Sequence, residues 1–287
     1  DRFSGVLLIA KNDSVLLERA AGLADRERQI PNTVETRFNI GSINKTFTRL
    51  AIHQLQSAGK LSLSDTIGRF LPGYPNAAAA STVTIHHLLE MSSGTPDFFG
   101  ERFEQARKES IRTLRDYLPL FADKPLEFPP GSATRYSNGG YLVLGLIIEA
   151  VTGMDYYTYV RDNIFTPAGM NASGWYERSD PREDMARGYT SGGKTSNFDL
   201  LPERGSSAGG GYSTVHDLLR YTHALRTGTL VLPGSEGGLG IAGGAPGLNA
   251  ALEMDQQSGY VIIVLSNLDP PSAESVARTM RLSLPRR

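Results

Sequence analysis

Apolar and polar residues alternate in two rhythms along this chain, and the rhythm changes with position. Near the start, Val6 to Ala10 and Val15 to Glu18 are short β-like runs, and Asn12-Asp13 between them has the composition of a hairpin turn. From Ile43 the apolar positions Ile43, Phe47, Leu50, Ala51, Leu55 and Ala58 follow helical spacing with one apolar face, and Gly59 stands where such a helix stops. Helical patterns dominate the middle: Ile85 to Met91 behind Thr84, a poorly punctuated stretch from Phe103 to Phe121, the strongly apolar Tyr141 to Val151 closed by Gly153, and Tyr156 to Ile164. Residues 171 to 211 are polar and glycine-rich, which predicts loop with a few short strands. Ser213 or Thr214 then caps a helix through Leu225, with Asp217 in its first turn. Leu248 to Met254 and Tyr260 to Leu265 return to the strand pattern, and Ala273 to Leu282 is a last helix.

Strand signals thus cluster at both ends with helices between. The pattern predicts an α/β (α+β) fold: a central antiparallel sheet built from N- and C-terminal strands, flanked by helices, with a mostly helical region inserted. In residue terms, 1–65 and 205–287 form the sheet domain and 66–204 the insertion, the whole being one unit.

Composition narrows the chemistry. The chain has 287 residues, 40% hydrophobic and 21% charged, enough for a full core in one large domain or two intertwined ones. A net charge of -1 gives no electrostatic footprint for nucleic acid or an anionic membrane surface. No apolar run approaches the length of a membrane span. With no cysteine, disulfides, thiolate metal sites and a cysteine nucleophile are excluded. The five histidines, His53, His86, His87, His216 and His223, fall in predicted helices without metal-ligand spacing, so no metal or other cofactor is implied. Asp97 and Glu127 are lone carboxylates, expected to be solvated or capping.

The stretch Phe38-Asn39-Ile40-Gly41-Ser42-Ile43-Asn44-Lys45 carries the first chemical signal. Ser42 stands where an extended run opens a helix, where free backbone N–H groups favour negative charge, and Lys45 lies on the same side of the first turn. A hydroxyl and an amine held together there fit a nucleophile with its base; the same placement fits a simple helix cap. Two further S-x-x-K matches, Ser57-Lys60 and Ser191-Lys194, lack the strand-turn-helix setting. Tyr136-Ser137-Asn138, between Pro129-Pro130-Gly131 and a buried helix, is the second candidate: a tyrosine near an amine can relay protons, and an asparagine can orient a substrate. The third is Ile241-Ala242-Gly243-Gly244-Ala245-Pro246-Gly247, whose glycines let backbone N–H groups approach a ligand and supply an oxyanion donor beside the Ser42 N–H. The G-x-G-x-x-G match at Gly238 to Gly243 is not a dinucleotide site, since no helix or βαβ unit surrounds it.

Together these segments resemble the serine β-lactamase and penicillin-binding-protein superfamily, in particular the class C β-lactamase-related serine hydrolases, which include esterases and D-amino-acid peptidases. The resemblance runs through Phe3-Ser4-Gly5, the Ser42 stretch, Leu88 to Gly94, Pro130-Gly131, Tyr136 to Tyr141 and Gly209 to Thr214. It implies Ser42 as acylated nucleophile, Lys45 as proton acceptor, Tyr136 as acid/base partner, Asn138 as a substrate-orienting amide and the Gly244 N–H as second oxyanion donor. Lys45 must then be neutral part of the time, its pKa lowered by burial or another cation. Two departures stand out: Ile241 occupies the position where the family has Lys or His, and the run Leu232 to Gly238 is short. The missing cation weakens binding of a substrate carboxylate. It favours a small ester or amide substrate over the β-lactamase and D-amino-acid peptidase alternatives, and it leaves open a non-catalytic binding or scaffold role on a retired hydrolase fold. The resemblance points to a periplasmic or secreted location and leaves the oligomeric state unspecified.

Overall fold

The computed structural model describes residues 3–180 and 182–285. Five strands form one antiparallel sheet in the order Ser14–Ala21, Gly5–Lys11, Tyr260–Ser266, Leu248–Asp255, Gly238–Ala245. The two ends of the chain meet at its centre, where Gly5 pairs with Ser266 and Lys11 with Tyr260. Asn12 and Asp13 adopt positive φ in the first hairpin, as their short polar side chains tolerate.

The period-2 alternation of the strands sorts residues between two cores. Val6, Leu8, Ala10, Ala250, Leu252, Ile263 and Leu265 enter the large core under the helical side. Leu7, Ile9, Ala251, Ile262 and Val264 face the helix Ser272–Ser283, which contributes Ala273 and Ala277. The large core is completed by the helices Asn44–Ser57, Asn138–Thr152 and Val215–Arg226. The helix Asn138–Thr152 is buried almost throughout its first three turns, as its nearly uniform apolar sequence requires. Thr214 caps Val215–Arg226 by accepting from the Asp217 N–H.

The observed sheet and flanking helices agree with the antiparallel α/β arrangement expected from the chain's patterning. Two local expectations need correction. The stretch Phe103 to Phe121 is not one helix. It is a series of short turns, Glu101–Gln105, Lys108–Ser110, Leu114–Tyr117 and Leu118–Leu120. Lys108 Nζ donates to the carbonyls of Phe103, Glu104 and Ala106 and so closes the first turn. Thr113 with Asp116 caps a new one, and Pro119 lacks a donor to continue it. The glycine-rich run around Ile241 is a full edge strand, where glycine content had obscured the strand pattern.

Candidate active site

Ser42 lies in a single 3-10 turn, Gly41–Ile43, wedged between the short strand Phe38–Asn39 and the helix Asn44–Ser57. Gly41 makes this possible with φ +50, a conformation other residues adopt rarely. The turn is pinned by the Asn39 side chain, which accepts from the Gly41 N–H at 3.0 Å, and by Ile40 N–H donating to the Gly211 carbonyl at 2.9 Å. Asn44 is buried and accepts from Gly211 N–H at 2.7 Å, tying the start of the serine helix to the glycine-rich loop.

Lys45, one turn on, is 5% exposed. Its Nζ donates to three oxygens: Ser42 Oγ at 3.0 Å, Asn138 Oδ1 at 2.7 Å and the Ala208 carbonyl at 2.5 Å. It also lies 4.7 Å from the Tyr136 ring centroid. Desolvation lowers its pKa to about 7, and the nearby Asp97 charge opposes that fall without cancelling it.

Tyr136 Oη and Ser42 Oγ are 2.5 Å apart. Half of the tyrosine faces solvent, but the crowding of its hydroxyl end raises the phenol's pKa. The hydrogen bond with Ser42 pulls the other way and Asp97 adds to the rise. Tyr136 is presented by a loop whose next residue, buried Ser137, donates to the Thr95 carbonyl at 2.7 Å and accepts from Gly140 N–H at 3.0 Å as the cap of Asn138–Thr152. Asn138 is therefore the first residue of a rigid helix and not part of the preceding loop.

Asp97, a lone carboxylate in the sequence, does more than cap a turn. Its Oδ1 does accept from Phe99 N–H, at 2.9 Å, but its Oδ2 accepts from both the backbone N–H and the Nδ2 of Asn138, at 2.9 and 2.8 Å. A carboxylate can only accept, so it turns Nδ2 toward itself and Oδ1 toward Lys45. In the sequence Asp97 reads only as a lone carboxylate, and the Ala208 carbonyl does not register at all. An isolated aspartate in a Pro-Asp-Phe turn carries no spacing signal, and a carbonyl carries none at all.

On the opposite wall, Gly243 packs directly on the nucleophile turn. A Cβ there would overlap the Ile40 carbonyl and sit 2.8 Å from the Ser42 nitrogen. Its neighbours Ala242 and Gly244 line the same cleft as Ser42, Tyr136 and Asn138. Ile241 does not: it is half-buried and packs against the large core. Behind the strand, fully buried Asn249 donates from Nδ2 to the Gly243 carbonyl and to Glu274 Oε2, both at 3.0 Å. Its Oδ1 accepts from the N–H groups of Ala273 and Glu274. The cleft encloses about 680 Å³, and Phe98, Phe99, Phe103 and Tyr117 form an aromatic wall. The rings pair at 4.5 to 6.0 Å, and Phe99 remains half exposed.

Lys45 and Tyr136 thus meet on one hydroxyl, with Asn138 and Asp97 holding the lysine from behind, an arrangement suited to activating that hydroxyl for attack on a carbonyl. The family model described as Beta-lactamase matches residues 1–236. "Penicillin-binding protein 4*" of Bacillus subtilis is 35% identical over 179 residues, 62% of this chain and 39% of that protein. "Putative penicillin-binding protein PbpX" of the same organism is 28% identical over 93% of this chain and 71% of its own length. The chain thus spans about two fifths of the first relative's length. Among solved structures, a penicillin-binding protein from Bacillus halodurans superposes with TM-score 0.89 at 30% identity, covering 98% of this chain and 97% of that one. The D-amino acid amidase of Ochrobactrum anthropi shares the fold, with TM-score 0.79 at 21% identity, covering 98% and 94%. The chain belongs to the serine β-lactamase and penicillin-binding-protein superfamily of serine hydrolases.

Proposed function

We propose that the protein hydrolyses a small ester or amide through an acyl-enzyme on Ser42. The observation that carries this reading is Lys45 at 3.0 Å from Ser42 Oγ with its pKa brought to about 7 by burial. Protonated Lys45 has three hydrogens for three acceptors. Neutral Lys45 has two, and the Asn138 and Ala208 oxygens cannot donate, so both hydrogens go to them. Its lone pair is then left facing the Ser42 hydroxyl. Loss of one proton converts Lys45 from a donor to Ser42 into its base.

In the acylation step the Ser42 proton passes to Lys45 as Oγ bonds to the substrate carbonyl carbon. The negative charge formed on the carbonyl oxygen is received by the Ser42 and Gly244 N–H groups. Tyr136, whose raised pKa keeps it a phenol, supplies a proton to the departing oxygen or nitrogen as that bond breaks, and Lys45 restores the phenol's proton. Water then repeats the sequence on the acyl-enzyme, releasing the acid and free Ser42. Asn138 holds Lys45 and presents its amide edge to the cleft. Penicillin-binding relatives and an amidase of the same fold are consistent with an activated serine meeting amide-like carbonyls.

Intact mass after incubation with a fluorophosphonate tests the reading. One adduct on the parent and none on a folded Ser42→Ala variant is expected, with turnover of short esters reduced at least about 10³-fold by the substitution. Unchanged turnover in Ser42→Ala refutes it. Efficient penicillin hydrolysis by the parent rejects the ester or amide preference.

A further inference from the structure

Resting on Ser42 as the acylated nucleophile, we propose that the cleft selects substrates that pair an ammonium group with an apolar or aromatic group, and that Glu274 receives the ammonium. Glu274 is the third residue of the helix Ser272–Ser283 and lines the cleft together with Ser42, Ala242 and Gly244. Its position is fixed: Asn249 Nδ2 holds one carboxylate oxygen, and Asn249 Oδ1 accepts the Glu274 N–H at 3.2 Å. Its charge is not matched. Among the described residues Glu274 makes no ion pair. On its own helix, Arg281 pairs with Glu253 at 3.0 Å; Arg278 and Arg281 line the groove behind the edge strand, which Glu274 also borders, and of the three only Glu274 lines the cleft as well.

The other charges around the cleft reinforce this polarity. Lys45 is committed to three oxygens beside the nucleophile. Lys108 is committed to three carbonyls of the Phe103 turn. Glu104 and Asp199 complete the charged lining. The edge strand Gly238–Ala245 carries no Lys, Arg or His, so it offers no cation to a substrate carboxylate. An anionic substrate would meet Glu274 with nothing to offset it, whereas an ammonium would find a preplaced carboxylate in a partly desolvated cleft. The aromatic wall of Phe98, Phe99 and Phe103, with Phe99 half exposed, supplies the apolar half of the recognition.

A competing account makes Glu274 only a favourable acid in the first turn of its helix. Equilibrium binding separates the two without requiring turnover. Benzylammonium and benzoate are titrated by NMR against the parent and Glu274→Gln, which keeps an oxygen for Asn249 and removes the charge. Benzylammonium should bind the parent about tenfold more tightly than benzoate, the strength of a modest charge pair. The ratio should shrink in added salt and fall to within about twofold in Glu274→Gln. Benzylammonium should also slow fluorophosphonate labelling of Ser42 over the concentration range in which it binds. Benzoate binding as tightly as benzylammonium, no binding by either, or a ratio unchanged in folded Glu274→Gln overturns the proposal. The parent's ratio and its salt dependence decide even if the variant does not fold. A parent that takes no adduct refutes the nucleophile assignment instead, and leaves the binding ratio readable.

Discussion

The two walls of the cleft are held together differently. On the nucleophile wall, Tyr136, Ser42, Lys45, Asn138 and Asp97 form an unbroken chain of side-chain hydrogen bonds between 2.5 and 3.0 Å, anchored on two rigid helices. On the other wall, the strand Gly238–Ala245 offers mostly backbone. It is paired on one edge only, to Leu248–Asp255, and is braced from behind by Asn249. The first wall encodes its chemistry in which side chains are present. The second encodes it in which are absent, since Gly243 alone can lie against the Ile40 carbonyl. Substitutions on the first should therefore change protonation and rate, and substitutions on the second should act through volume.

The largest effect is expected at Lys45. Lys45→Met removes the base and should lower kcat/KM by about 10³-fold, within the range for general-base catalysis. In the parent, kcat/KM should rise with pH and level off above an apparent pKa of about 7, because the protonated amine cannot accept the Ser42 proton. A flat profile from pH 5 to 9 would assign the base elsewhere.

The second wall is probed by Gly243→Ala against Gly240→Ala in the same strand. A Cβ at 243 displaces the strand from the nucleophile turn, while a Cβ at 240 meets nothing within 4 Å. Gly243→Ala should lower kcat by about 10²-fold, as loss of an oxyanion donor does, with Gly240→Ala within about twofold of the parent. Equal losses at both positions would make strand stiffness, and not close approach, the controlling property.

This contrast also explains what the chain's pattern revealed. The strands Gly5–Lys11 and Tyr260–Ser266 and the helix Asn138–Thr152 were legible because apolar periodicity reports burial directly. The Ser42 and Tyr136 segments were legible because their side chains are the chemistry. The edge strand was recognised as a glycine-rich backbone element but not as a strand, since glycine contributes nothing to either period. Asp97 and Asn249 were illegible for another reason. Their roles come from tertiary approach, to Asn138 across 41 positions and to the start of the last helix across 24 and 25, which no local pattern records. Ile241, where the resemblance expects a cation, packs its apolar side chain against the large core.

Asp97→Asn should have a smaller effect, about tenfold in kcat, because it acts through other residues. An amide at 97 can present a donor to Asn138 and so permits the Asn138 side chain to flip, placing Nδ2 against Lys45. It also removes the negative charge that raises the Lys45 pKa, so the acid limb of the pH profile should move below its parent value. A fall in rate with an unmoved limb would reduce Asp97 to loop capping through Phe99.

The smallest expected effect is on stability, and its sign follows from the same lysine. Burial lowers the folded-state pKa of Lys45 from 10.5 to about 7. Between those values the unfolded chain binds a proton that the folded protein does not, so folding becomes more favourable as pH rises through that window. Below about pH 7 both states are protonated and the full cost of burying the charge is present. Well above pH 10.5 both are neutral and the cost is gone. Lys45→Met lacks this proton and serves as the reference. It leaves the Asn138 and Ala208 oxygens without their donor, a penalty that does not vary with pH. The parent's melting temperature relative to Lys45→Met should therefore climb by about 6–12 °C from pH 7 to pH 9.5, since linkage between those two pKa values amounts to about 3 kcal/mol over that range at about 2–4 °C per kcal/mol. A difference that stays level across that range would mean that Lys45 remains charged when folded, and the nucleophile wall would then lose the property that sets it apart from the glycine strand facing it.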